Sequence, residues 1–304
     1  MGGHGTDRGP MCRPGPADHD GGMTESSTSP RPVTVPPPAS PLSRPASPPA
    51  LDLVGLRKCY GRKVAVADIT LRVAAGEIFG VLGPNGAGKT TTVECAEGLR
   101  RPDSGTVRVF GTDPWAERGA ARALIGVQLQ ESQLPDKLTV AESLELYASF
   151  YPERADTEAL MDRLGLTEKR NTRYKRLSGG QKQRLSIALA LVGRPRLVVF
   201  DELTTGLDPG ARRESWRLVE ELRDGGITVL LVTHYADEAE RLCDRVALLQ
   251  SGRVAACGKP QELIESAGIS AGPRGATTLD DAIVALTADQ ASTARRGQLT
   301  GEAS

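Results

Sequence analysis

Gly83-Pro84-Asn85-Gly86-Ala87-Gly88-Lys89-Thr90 follows the apolar segment Ile78 to Leu82 and precedes a helix-forming stretch. The pattern G-x-x-x-x-G-K-[ST] in a strand–loop–helix setting restricts the fold more than any other feature of the chain. Its glycines let the backbone wrap phosphates with N–H groups pointing inward, and the helix that follows adds its positive dipole end. Lys89 offers a point charge to the β/γ-phosphates and Thr90 a hydroxyl to Mg²⁺, with Thr91 beside it among the candidate nucleotide-binding residues.

The rest of the chain has the texture this loop requires. β-like segments occupy 51–57, 64–73 and 77–82, and further strands are expected near 105–110 and 124–129. Residues 138–176 read as mainly helical. Three later apolar runs, 197–201, 227–233 and 245–250, read as buried strands, separated by helical stretches at 179–193, 209–223 and 235–243. Strands alternating with helices imply an α/β fold with a mostly parallel sheet covered on both faces.

Residues 1 to about 50 differ in kind. They hold 12 of the 21 prolines, with much Ser and Gly and no aromatic side chain. Such a segment cannot bury enough apolar surface to offset its ordering entropy, so it reads as disordered. Met23 is an alternative start within it. Beyond 258, Leu279, Ile283 and Leu286 fall at i, i+4 and i+7, an apolar stripe expected to pack on the main domain; the last dozen residues read as solvated.

Further residues carry candidate chemistry. Leu197 to Phe200 is an apolar run ending in Asp201 and Glu202, and ligands of open α/β sheets bind at the carboxyl ends of strands. Asp201 would hold Mg²⁺ through water, and Glu202 would polarise the water that attacks a γ-phosphate. His234, after the strand ending at Thr233, would donate a hydrogen bond to that phosphate. Gln130 closes the segment from Ile125 and opens the helical stretch, where an amide would reach Mg²⁺ or the water; Gln128 competes on spacing alone. Tyr60 lies 23 residues before Gly83, where a ring would stack on adenine. Leu177-Ser178-Gly179-Gly180-Gln181 forms a helix start with exposed N–H groups and a serine hydroxyl, a second anion site. Chemistry alone leaves open whether it serves the same nucleotide or another across a dimer.

Together these motifs resemble the ATP-binding cassette of ABC transporters, over residues 51–258. The resemblance implies a P-loop NTPase with a mostly parallel central sheet, an antiparallel β subdomain and a helical subdomain inserted at about 131–177, followed by a partly helical extension over 259–304. It implies that each ATP is clamped between the phosphate loop of one subunit and Ser178 to Gln181 of a second copy. It makes Tyr60 the adenine-stacking aromatic, Gln130 the hinge glutamine, Glu202 the catalytic base and His234 the switch histidine. Asp208, in Gly206-Leu207-Asp208-Pro209, is then central to the loop linking two active sites. Leu203 stands where the family has proline, which is expected to loosen the step from Glu202 to Asp208. Glu97-Gly98-Leu99 followed by Arg101-Pro102-Asp103-Ser104-Gly105, Thr233-His234-Tyr235 with Glu238-Ala239-Glu240, and the run Thr278 to Ala282 are similar to exporters of the daunorubicin-resistance kind.

Composition narrows the partners. Lys plus Arg equal Asp plus Glu, 38 against 38, so no overall field steers the chain to nucleic acid. The five cysteines, Cys12, Cys59, Cys95, Cys243 and Cys257, form no CxxC pair, which argues for reduced thiols over zinc or a disulfide framework. No apolar run approaches the roughly 18 residues of a membrane span. Work at a membrane would require docking on a separate permease at its cytoplasmic face. The expected activity is ATP hydrolysis that energises export, with ribosome-acting, DNA-acting or importer ATPases as alternatives.

Overall fold

The computed structural model describes residues 48–128, 134–267 and 278–287. Gln130 therefore lies outside the described residues, as does the segment 1–47. The strands are β1 (Leu51–Tyr60), β2 (Lys63–Val73), β3 (Ile78–Leu82), β4 (Ser104–Val109), β5 (Ile125–Gln128), β6 (Leu197–Asp201), β7 (Thr228–Val232), β8 (Arg245–Gln250) and β9 (Arg253–Gly258). They form one sheet in the order β4-β1-β2-β9-β8-β3-β7-β6-β5. From β8 to β5 every pairing is parallel; β1 pairs antiparallel with β2 and β4, and β9 antiparallel with β8.

The apolar runs are continuous because both faces of the parallel strands are covered. Ile78, Val198, Phe200, Val229, Leu231, Val246 and Leu248 point into one core, with the helices α5 (Gly179–Leu191), α6 (Pro209–Asp224) and α7 (Ala236–Leu242). Their neighbours Phe79, Val81, Leu197, Val199, Leu230, Val232 and Ala247 point into the other, shared with β1, β2 and α1 (Lys89–Ala96). The strict alternation follows from the two-residue period of an extended chain.

The expected helical stretch 138–176 is broken into α3 (Val140–Ala148), α4 (Thr157–Arg163) and two short 3₁₀ turns. Side-chain caps set the starts. Thr139 and Glu142 exchange hydrogen bonds with each other's backbone, and Asp156 accepts from Glu158 and Ala159. Helical residues 279–287 place Leu279 and Ala282 in the first core, with Ile283 and Leu286 packed against it.

Two elements were not expected from sequence, α2 (Arg118–Leu124) and β9, while α8 (Pro260–Ser266) lies in the extension expected to be partly helical. β9 had a readable signal, since Ser251 (φ 49°) and Gly252 (φ 73°) form a two-residue hairpin turn between Gln250 and Arg253. β1 runs three residues beyond its expected end at 57 and so carries Tyr60 within the strand.

β5 lies so close to α5 that only glycine fits at 126. A Cβ there would stand 2.0 Å from the Ala190 carbonyl oxygen and 2.9 Å from the Pro195 ring. Gly126→Ala should lower stability by about 1–3 kcal/mol through overpacking. The urea midpoint measures this; an unchanged midpoint would show that β5 and α5 have room to separate.

Candidate active site

β3, β7 and β6 are adjacent and parallel, so their carboxyl ends leave the sheet on one edge. The loop after β3 is fixed by its glycines. Gly83 has φ 149° and its Cβ would meet the Leu249 carbonyl oxygen at 2.2 Å; Gly88 has φ 101° and its Cβ would meet the Ala65 carbonyl oxygen at 2.6 Å. A side chain at either position is excluded by backbone on two other strands. Gly88 is also the residue from which α1 begins.

Lys89, buried, turns back onto this loop. Its Nζ donates to the Gly83 carbonyl at 2.6 Å and the Pro84 carbonyl at 3.2 Å. Burial pulls its pKa below the ordinary lysine value, while Glu202 and Asp201 act in the opposite sense. Asp201, the last residue of β6, is raised, first by burial and then by the neighbouring Glu202, with Lys89 opposing. A cation brought near these two carboxyl groups would therefore relieve a repulsion already present.

Glu202 adopts φ 52°, a left-handed conformation in a residue other than glycine. Such positions cost about 1–3 kcal/mol and persist where the surroundings enforce them. Here the Glu202 N–H donates to the Val232 carbonyl at 2.8 Å, which anchors the turn on β7. The turn aims the carboxyl at the next strand end, where His234 Nδ1 lies 3.2 Å from Glu202 Oε1. Leu203 is 1% exposed and packed in the first core. The leucine side chain is thus held by packing, at a position where the backbone lacks the restraint of a proline ring.

These residues line a cleft of about 770 Å³, together with Tyr60, Asn85, Gly86, Gly88, Thr90 and Thr91. Tyr60 is 41% exposed, with the Lys58 ammonium 5.8 Å and the Arg100 guanidinium 5.9 Å from its ring. Lys63 and Ala65 also line the cleft and were missed. They enter because β2 follows β1 through a hairpin closed by Tyr60 and Lys63, a pairing that motif spacing does not reveal.

Ser178 to Gln181 do not line this cleft. Ser178 caps α5: its Oγ accepts from the Gln181 N–H at 3.3 Å, and Gln181 Oε1 accepts from the Ser178 N–H at 3.0 Å. A Cβ on Gly180 would stand 3.2 Å from Ala211, and one on Gly179 3.9 Å from Leu207. The motif therefore sits beside the turn containing Asp208, which caps α6 by accepting from Gly210 (2.9 Å) and Ala211 (3.1 Å). Those hydrogen bonds hold the Asp208 carboxyl below the ordinary range. Gln128 is buried in β5, paired in register with Phe200.

A second, largely apolar groove of about 820 Å³ lies between the end of α1, β5 and α3, lined by Leu99, Tyr147 and Phe150 among others. Phe150 is 68% exposed. Glu97, just past α1, borders the groove, and burial, then Asp201 and Glu94, push its pKa up to about 8.

Residues 66–205 match the ABC transporter family. Residues 148–267, which leave out the phosphate loop, also match the osmosensitive K⁺ channel His kinase sensor domain. The chain is 44% identical over 226 residues to Nod factor export ATP-binding protein I of Rhizobium johnstonii, covering 72% of each. It is 40% identical over 223 residues to the protein of the same name from Ralstonia nicotianae, covering 72% of this chain and 70% of that one. A solved ATP-binding subunit of an ABC transporter superposes with a TM-score of 0.69 at 30% identity, over 78% of this chain and 99% of that one. A dimeric bacterial ABC transporter cassette superposes with a TM-score of 0.62 at 28% identity, over 69% and 98%.

Lys89→Ala should weaken ATP binding by about tenfold to hundredfold, the equivalent of losing a charged hydrogen bond, in a calorimetric titration. Unaltered affinity would remove Lys89 from the phosphate site. Glu97 gives a pH signature. With a folded pKa of about 8 against an ordinary 4.5, the native state keeps a proton that the unfolded chain releases. Its contribution to stability is therefore present at low pH and lost as pH rises from 4.5 through about 8. Tm should fall less over that window in Glu97→Gln than in the unaltered protein; parallel curves would place Glu97 in water.

Proposed function

This chain belongs to the ABC transporter family as an ATP-binding, ATP-hydrolysing subunit, and from that premise we propose that it energises export through a separate membrane permease. The observation that carries the reading is the division of the site. Three neighbouring strand ends deliver Lys89, Asp201–Glu202 and His234 to one cleft, while Ser178 to Gln181 start a helix outside it. Two copies facing head to tail would bring each signature to the other's cleft. Dimeric cassettes of this fold exist among the structural relatives, one of them bound to ADP and Pi.

In the proposed site, Tyr60 stacks on adenine and the N–H groups of Gly83 to Thr91 hold the phosphates, with Lys89 at the β/γ positions. Thr90 and Asp201 offer hard oxygen donors suited to Mg²⁺, which when bound neutralises charge on the phosphates. Among the described residues no group of three His, Cys, Asp or Glu could hold a metal ion, which suits a cation held largely by the nucleotide. Glu202 takes a proton of the attacking water as its oxygen bonds to the γ-phosphorus and the bond to ADP breaks. His234 holds the Glu202 carboxyl and donates to the γ-phosphate. Gln130 joins the hydrolytic site to the permease, and Asp208 joins the two sites of the dimer.

No described helix is long and apolar enough to cross a membrane. The exposed apolar groove at Leu99 and Phe150 supports docking of a cytoplasmic segment of the permease, and with it a subunit working at the cytoplasmic face. The relatives' names state Nod factor export; for this chain we infer a drug-like or hydrophobic cargo, on the resemblance of Glu97 to Leu99 and Thr233 to Tyr235 to resistance exporters.

Glu202→Gln tests the chemistry. ATP turnover should fall by about 10²–10⁴-fold, the usual contribution of a general base. ATP binding should persist, and an ATP-dependent dimer should accumulate on size exclusion. Turnover at the unaltered rate would remove Glu202 as the base.

A further inference from the structure

Glu238 lies on α7, four residues past His234, and none of its surface is exposed. Its Oε1 accepts from the Thr204 hydroxyl at 2.7 Å and from the Trp216 indole N–H at 3.0 Å. Thr204 stands two residues after Glu202, and Trp216 lies on α6, the helix that Asp208 caps. A single oxygen thus joins the loop bearing Glu202, the helix that starts at Asp208 and the helix that follows His234.

Packing does not explain a glutamate at this point. Its Oε2 has no hydrogen bond among the described residues. A buried carboxyl group with one oxygen unsatisfied is costly, and an apolar residue of similar volume would cost less. The loop it holds has a need for support. Glu202 is strained at φ 52°, and proline is absent at position 203. Within the loop, the Thr205 N–H donates to the Glu202 carbonyl and the Leu207 N–H to the Thr204 carbonyl, both at 3.2 Å.

The far side of Trp216 extends the connection. The Arg212 guanidinium lies 4.7 Å from the Trp216 ring and 5.0 Å from the Tyr235 ring, and donates to Asp237 at 2.8 Å. Tyr235 in turn lies 4.0 Å, centre to centre, from the His234 ring. Both partners of the 3.2 Å Glu202–His234 contact are therefore reached from the same helix pair.

We propose that Glu238 is a positioning residue for hydrolysis: by accepting from Thr204 and Trp216 it sets the loop that aligns the Glu202 carboxyl with His234. The proposal rests on the reading of Glu202 as the base. Glu238 does not line the cleft, so its loss should affect turnover and leave binding intact.

Steady-state ATPase assays on the purified full-length chain test this. Thr204→Val, nearly isosteric, and Glu238→Leu should each lower kcat by about tenfold to hundredfold, the scale of a small misplacement at a reacting centre. KM for ATP should stay within about twofold of the unaltered value. Glu238→Gln, which keeps an accepting oxygen, should retain a kcat within about twofold of the unaltered chain. Should Glu238→Leu fail to fold, Thr204→Val still decides. An unaltered kcat in Thr204→Val, a loss in Glu238→Gln as deep as in Glu238→Leu, or a KM that rises as far as kcat falls would each overturn the proposal. Glu202→Gln, assayed alongside, separates this from failure of the base assignment: normal turnover there would undo the base, whatever Glu238 does.

Discussion

Val232 sits in register with Val81 on one side and Asp201 on the other, in parallel pairing, and the site depends on that row. The residues that carry the chemistry follow directly: the loop to Lys89 after β3, Glu202 after β6, His234 after β7. A slip of one residue in any of these pairings would move every side chain of that strand to the opposite face. It would also carry Glu202 or His234 away from the other. The register is protected because both faces of these strands are apolar and buried, so a slip would have to break two cores at once. The site's precision is borrowed from the sheet's burial.

What the sheet cannot supply is the second anion-binding surface. Ser178 to Gln181 begin α5 with a capping box and lie against the Asp208 turn, apart from the cleft that holds Lys89. In one chain the loop around Lys89 and the helix start at Ser178 are thus built apart from each other. The Asp208 turn sits where the two meet in meaning: it caps α6, which Trp216 and Glu238 tie to the loop of Glu202. An event at the signature has a path to the hydrolytic pair through packed and hydrogen-bonded groups.

Much of this was legible in the sequence. Residues in short motifs, such as Gly83 to Thr90, Asp201–Glu202 and Ser178 to Gln181, could be offered as candidates because the chemistry proposed for them needs neighbours along the chain. The long apolar runs announced the buried strands. Residues that act through tertiary pairing were silent. Lys63 and Ala65 reach the cleft only because β1 and β2 pair, and Glu238, which the sequence offers only within a resemblance to resistance exporters, shows its partners only in the fold. β9 was missed because Arg253 to Gly258 is short, has one β-branched residue, and is held by its hairpin with β8.

The central claim is that the signature of one chain completes the ATP site of another. Two single-cysteine chains test it, one with Asn85→Cys and one with Ser178→Cys, each in a Glu202→Gln background with Cys12, Cys59, Cys95, Cys243 and Cys257 replaced. Mixed and oxidised, they should form a disulfide between position 85 of one chain and 178 of the other when MgATP is present, and little without it. Failure of that cross-link with MgATP, or its formation within a chain carrying both cysteines, would contradict the account.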